Sequence, residues 1–410
     1  MRRAVRQIIK VLLMFALVMC FGLSIGYVNN IKNEKKVINY YFEETEVNID
    51  RLKSIKEGKN DISMVGWAEK SLQSAYNPDF NRTINNLKVL LVSGNSSLII
   101  DGPLLFEDDK EGCLIDEETS YKLFGSKHAV GKEIIYNDRS LVVRGIHKGT
   151  TSNIIVQLLD DSQESMTGLS FDGTEFSFNE IKDLTNTLGF KEMPINASLY
   201  YNLANAIMMI FPIIALLLIT IKVIVYAMKA KNKPILLFIY LCMIIILGTI
   251  FLKITNIKIT IPLDMIPNKW SDFDFWGNLW REYIEKFKYV MYMKKYGMDI
   301  YNIENMIMAT VYSILTIILF VINLKAIKIN SIRELIGINL ILVLNSFVVV
   351  LLVWKKYSFD VNIPMLWAIY PLYLCADYFI RKHEKYFVYN ENRDKIQNNK
   401  INAESNEVMV

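Results

Sequence analysis

A chain of 410 residues, 52% hydrophobic and with a mean hydropathy of +0.24, is too apolar for an ordinary soluble enzyme. Its formal charge of +4 is spread along the chain rather than gathered into a basic patch, which argues against nucleic acid as a partner. The apolar residues fall in blocks, the pattern of an α-helical polytopic membrane protein.

The first block ends at Val28 and follows the four cations of MRRAVRQIIK. About 20 apolar residues cross a hydrocarbon core as a helix. A cleaved signal peptide is the alternative, yet no A-x-A pattern closes the run, and LVMC at 17–20 puts the large Met19 where a lipoprotein box needs a small residue. The reading is an uncleaved signal anchor, with residues 1–28 as cytoplasmic N-terminus and first span.

Residues 29–202 form a segment of about 170 residues, enough to bury a domain core. Its start, 34–57, has a helical pattern with irregular apolar spacing, and either extends the first membrane helix or forms a stalk. Runs at 87–93, 97–100, 134–136, 140–146 and 153–158 are patterned as short strands, and 117–124 and 177–189 as helices. Ser177 with Glu180 forms a capping-box signature, and Gly189 supplies a stop. The mixture predicts an α+β domain between the first two spans.

Within it, GSKHAVGKE at 125–133 looks like a nucleotide-binding P-loop, G-x-x-x-x-G-K-[ST]. Five residues, Ser126 to Val130, separate Gly125 from Gly131 where the motif has four, and Glu133 stands in place of the magnesium-binding hydroxyl. Its carboxylate would repel phosphate. The glycines are instead structural: Glu117–Phe124 forms a short helix, Gly125 permits a left-handed stop, and Gly131 turns the chain into a strand containing Ile134, with Lys132 pointing to solvent at its edge.

The stretch from Glu111 to Val156 resembles the extracytoplasmic core domain of MacB-type and FtsX-like ABC permeases. It carries Leu114, Ile115, Glu117, Leu123, Phe124, Gly125, Ala129, Val130, Gly131, Lys132, Val143, Gly145 and Ile146 in the order of that family's strand, helix, L-F-G, A-V-G-K turn and V-x-G-I segment. The resemblance implies a permease lacking its own ATPase, moved by a separate ATPase chain, working as a homo- or heterodimer and passing motion to an external domain. It implies export or regulation of peptides, antibiotics or lipid-linked molecules, without choosing among them.

No catalytic, cofactor-binding or metal constellation is found. His128 and His147 read as surface residues, and His383 lies in the predicted tail; neither H-E-x-x-H nor C-x-x-C occurs among these and the four cysteines. No G-x-S-x-G occurs, and Asp108–Asp109 and Asp160–Asp161 read as loop charges.

Further spans are predicted at 203–228, 234–252, 305–324, 335–354 and 363–380, with Lys222 near one end snorkelling to the interface. Pro364, Pro371 and Asp377 make the last the least apolar. Cations at the N-terminus, at 229–233, at 325–333 and at 381–385 orient six helices with both termini in the cytoplasm, the tail being 381–410.

Between the third and fourth spans, in the outer loop 253–304, Lys269–Gly297 carries Phe273, Trp276, Trp280, Tyr283, Ile284, Phe287 and Met291 at three- and four-residue steps. Ser271 is its predicted N-cap, Asp272 and Asp274 fill its first turn, Lys294 and Lys295 its last, and Gly297 its stop. This helix, with Trp270 at its start, either lies on the lipid of the outer leaflet or packs on protein.

The family resemblance also implies a cytoplasmic coupling helix of the form R-x-x-E-I-G-x-x-R-A-x-G after the domain's return helix. That loop here is YAMKAKNKP, without the motif. A partial echo, SIRELIGIN, offers Arg333, Glu334 and Gly337 two helices later; a plain basic loop end is the other reading. Two functions stay open: a permease-type subunit coupled to an ATPase, and a non-transporting membrane protein using the external domain to bind or sense.

Overall fold

The computed structural model describes residues 2–31, 37–42, 46–58, 63–100, 102–147, 153–190, 194–196, 198–229, 234–256, 274–292, 296–357 and 359–382. The chain divides into two compact units, one of Met1–Asn30, Leu203–Trp270 and Asn305–Val410, the other of Ile31–Asn202 and Ser271–Glu304.

The second unit is an α+β domain. Its elements are β1 (Val37–Tyr41), α2 (Ile49–Gly58), β2 (Met64–Asn77), β3 (Arg82–Ser93), β4 (Gly112–Asp116), α3 (Glu117–Phe124), β5 (Glu133–Tyr136), β6 (Arg139–His147), β7 (Asn153–Gln157), β8 (Gly168–Asp172), α4 (Phe178–Thr187) and β9 (Ile195–Asn196), with α1 (Arg2–Asn30) preceding them in the chain. The sheet runs β3-β7-β4-β6-β5-β2-β8-β1-β9, and β3 also pairs with β2. That extra pairing closes β2, β3, β7, β4, β6 and β5 into a ring, from which β8, β1 and β9 extend. The β3–β7 and β4–β6 pairs are parallel.

Period-2 patterning fills the interior. Leu87 and Val89 of β3, Cys113 and Ile115 of β4, Leu141 and Val143 of β6, and Ile154 and Val156 of β7 share one core with Leu52, Leu123 and Ile181 from the three helices. The alternate residues Val92, Leu114 and Ile155 pack into a second cluster with Val65 and Trp67. Central strands such as GCLID are therefore buried on both faces and lack the polar alternation that marks a half-exposed strand.

Two predicted elements differ, and a long strand has no counterpart in the sequence reading. The 34–57 helix is instead β1 followed by α2, because β-branched Val37 and Ile38 and the tyrosines pair along β8 from Val37↔Asp172 to Tyr41↔Gly168. The 97–100 strand is a 3-10 turn at Ser96–Leu98, pinned where Ser96 Oγ accepts from Leu105 N at 2.9 Å. The long β2 passed unmarked in the sequence, since MVGWAEKSLQSAYN changes its alternation at irregular registers between Lys70, Gln73 and Ala75. Ser177 and Glu180 form a reciprocal capping box at α4, and Gly189 follows it with φ +77°.

Among the described residues, five helices are long and apolar enough to cross a membrane: Gln7–Asn30, Ser198–Met228, Leu237–Thr255, Asp299–Ala326 and Ile332–Tyr357. They belong to α1, α5 (Ser198–Lys229), α6 (Pro234–Thr255), α8 (Gly297–Ala326) and α9 (Ile332–Tyr357). A further helix, α10 (364–382), occupies the sixth predicted span. The chain is thus a multi-pass membrane protein with its α+β domain inserted between the first two apolar helices. Phe320 of α8 centres the packing, edge-on to Phe211 of α5 at 5.1 Å and to Tyr373 of α10 at 5.0 Å, while Phe21 of α1 meets Phe211 at 4.9 Å. Polar side chains tie the same helices: Ser24 and Ser313 hydroxyls lie 2.6 Å apart, and Asn323 Nδ2 donates to Leu13 O at 3.2 Å.

The remaining helix, α7 (Phe275–Tyr292), begins within the predicted amphipathic stretch. Trp270, Ser271, Asp272, Phe273, Lys294 and Lys295 lie outside the described residues, as do the side chains of Tyr283, Phe287 and Met291. Gly297 does not end this helix but begins α8, where the chain turns into the next apolar run.

Candidate coupling sites

The glycine turn is built from its caps inward. Asp116 Oδ1 accepts from Thr119 N at 2.8 Å and starts α3; Gly125 N donates to Tyr121 O at 2.8 Å and ends it with φ +68°. A β-carbon on Gly125 would stand 2.9 Å from Arg82 Nη1. Gly131, φ +82°, donates its N–H to Val143 O at 2.8 Å, and Lys132 O accepts from Val143 N at 2.9 Å. The turn is thereby bolted to β6. The amides of Gly125 and Gly131 are spent inside the fold, so they do not line a phosphate cradle.

Lys132 does not stand free in solvent as expected; its Nζ lies 5.2 Å from the Phe80 ring centre and 5.4 Å from that of Phe124. Glu133 accepts from Ser140 Oγ at 3.0 Å. His147 is also corrected, since it is buried at the end of β6, whereas His128 is exposed and His383 lies outside the described residues. Asp109 of the first acidic pair accepts from Arg144 Nε at 2.7 Å and Nη2 at 3.2 Å, and Asp160 of the second pairs with Lys53 at 3.0 Å. Burial pushes the Cys113 thiol up to about 12, so it is no nucleophile near neutral pH.

An open cleft of about 420 Å³ lies beside α2 and the start of β2. Lys56, paired with Glu107 at 2.8 Å, lines it together with Asn95 and Ser97.

A second site joins the head of α8 to the sheet. Asp299, in the first turn of α8 and buried, accepts a hydrogen bond from the Tyr41 hydroxyl of β1 and lies beside Tyr200 of α5. The Tyr41 ring stacks on Tyr296 at 5.5 Å and meets Trp67 edge-on at 5.6 Å; Tyr296 also meets Trp67 at 5.6 Å. Burial, and then the Asp299 charge, hold the Tyr41 phenol well above its usual range. The sequence reading missed this cluster. Its signal was Asp299 and Asn302, a helical turn apart at the head of an apolar run, both of which the structure buries.

Of the coupling candidates, Arg333 is exposed at the start of α9, and Gly337, one turn on, has open space where a side chain would go. Glu334 is occupied locally. Its N–H donates to Ser331 Oγ at 3.2 Å, and its carboxylate accepts from Asn330 N at 2.9 Å. The two bonds together cap α9. The 230–233 loop lies outside the described residues.

Lys222, near one end of α5, has a partner that the sequence reading did not name: it pairs with Asp377 of α10, to which Arg381 adds a contact at 2.8 Å. Two opposite charges in otherwise apolar segments were the sequence signal for this pair.

Fold and sites together define a polytopic membrane protein with an α+β domain hung between its first two apolar helices. No protein-family model matches the chain, and no curated protein matches it. Among the solved structures similar to part of it are two extracytoplasmic domains of transporters. One is the periplasmic region of MacB from Actinobacillus actinomycetemcomitans, 16% identical with a TM-score of 0.34, covering 42% of this chain and 94% of that one. The other is the extracellular domain of the noncanonic ABC-type transporter YknZ from Gram-positive bacteria, 16% identical with a TM-score of 0.31, covering 39% of this chain and 100% of that one.

Proposed function

We propose that this chain is the permease-type subunit of a MacB/FtsX-like ABC transporter in a bacterial cell membrane. A separate ATPase chain moves its helices, and the α+β domain outside the cytoplasm receives that motion for export or regulation. The observation that carries the reading is the turn itself. Leu114 and Ile115 in β4, Glu117–Phe124 as α3, left-handed Gly125 and Gly131, and Val143, Gly145 and Ile146 in β6 follow one another in a domain inserted between the first two apolar helices. A homo- or heterodimer with another permease completes this reading, which requires no enzymatic chemistry of the chain. The exposure of Trp276 and Trp280 on α7 supports a helix resting on lipid at the outer leaflet.

The test is co-purification of an ATPase chain at matched expression. Because Glu334 caps α9, reversing its charge would disturb the helix as well as any contact; Arg333 is the cleaner probe. Arg333→Glu is expected to lower ATPase recovery several-fold and Lys231→Glu less. Unchanged recovery with both, beside a stable wild-type complex, makes both loops bystanders. A wild-type protein that retains no ATPase favours a binding or sensing module, a reading to which the Lys56 cleft gives a physical site.

A further inference from the structure

We propose that Lys222, Arg381 and the carboxylate they share, Asp377, form a binding site for the phosphate of an anionic glycerophospholipid. Two cations meet one acid, so the cluster keeps a surplus positive charge. Asp377 is mostly covered, with a side chain 13% exposed, while Lys222 and Arg381 remain open at 37% and 34%. Arg381 spends an Nη2 on Asp377, and its buried Nε has no hydrogen-bond partner among the described residues.

Depth fixes the kind of anion. Lys222 precedes Lys229, the last residue of α5, by seven positions, or about 10 Å at the rise of an α-helix. Arg381 lies in the last described turn of α10. The ion pair brings these two helix ends together, which puts the surplus charge near the boundary between acyl chains and headgroups. A cation held there is costly unless an anion answers it. A phosphodiester carries one negative charge, matches the surplus, and suits the planar donors of a guanidinium.

The surroundings suit a lipid rather than a free ion. Ile221 and Val225, which flank Lys222 on α5, are exposed and would meet acyl chains. The Tyr373 ring, 5.7 Å from Lys222 Nζ, holds that cation in place before the lipid arrives. The inference needs only that these helices cross a bilayer, and stands whether or not an ATPase partner exists.

The full chain is purified in detergent and exchanged into phosphatidylcholine vesicles, with and without an equal part of phosphatidylglycerol; co-retained lipid is read by native mass spectrometry. Wild type is expected to retain phosphatidylglycerol preferentially. Arg381→Gln and Lys222→Gln should each lower that preference roughly fivefold, while Lys356→Gln, at the far end of α9, leaves it unchanged. Asp377→Asn separates a lipid site from a plain ion pair, because it frees both cations. Preference held or raised in this variant supports the site; preference lost with it, or unaffected by either cation's removal, overturns it. If inorganic phosphate displaces phosphatidylglycerol from wild type at equal concentration, the site is for a free anion and the lipid assignment fails.

Discussion

At Gly125 the backbone turns with φ +68°, and the space beside it is filled by the Arg82 guanidinium. A β-branched side chain tolerates that backbone region poorly, and strain of this kind costs about 1–3 kcal/mol. Gly125→Val is therefore expected to lower the stability of the full-length protein by about that amount, read by thermal unfolding. An unchanged midpoint would mean that the turn relaxes to another geometry. This glycine could be read from LFGSKHAVGK because its constraint is local: a short helix must stop, and the next strand must begin. Lys132 and His147 could not be read that way. The rings that cover Lys132 come from Phe80 and Phe124, and His147 is buried by the sheet as a whole. Side-chain environment is a property of tertiary neighbours, and local pattern carries little trace of it.

At the scale of elements, strands that alternate were legible and strands buried on both faces were not. β6, with buried Leu141, Val143 and Gly145 alternating with less covered neighbours, shows its period in RSLVVRGIH. β1 is buried throughout, and VINYY offers no alternation to set it apart from the helical pattern around it. Its role became visible only through its partner across the chain, Asp299. Tyr41→Phe tests that link cleanly, because it removes the hydroxyl and leaves the ring stacked on Tyr296 and edge-on to Trp67. Removing a hydrogen bond to a buried charged group costs about 1–3 kcal/mol. The variant should melt earlier by that margin and exchange its β1 amides faster. If both measurements match wild type, the hydroxyl does not hold the head of α8 to the sheet.

At the scale of the whole molecule, orientation depends on whether α10 crosses the bilayer. Among the described residues five helices meet the length and apolarity needed to cross, and five crossings would leave the tail on the same side as the α+β domain. Six crossings return it to the side of the N-terminus. Composition alone disfavours α10, since Asp377 and its tyrosines dilute the apolar run. Pairing changes the balance: the charge of Asp377 is met by Lys222 and Arg381, so the helix enters the membrane with its costliest group already matched. The cations at Lys229, at Lys325 and Lys328, and at Arg381 and Lys382 then share one side. In a background lacking Cys20, Cys113, Cys242 and Cys375, a cysteine placed at Asn137, exposed in the tight turn between β5 and β6, should label with a membrane-impermeant maleimide on intact cells. A cysteine placed at Asn399 should label only after the cells are permeabilised. Labelling of both on intact cells means that α10 does not cross, and labelling of Asn399→Cys alone inverts the whole arrangement, domain included.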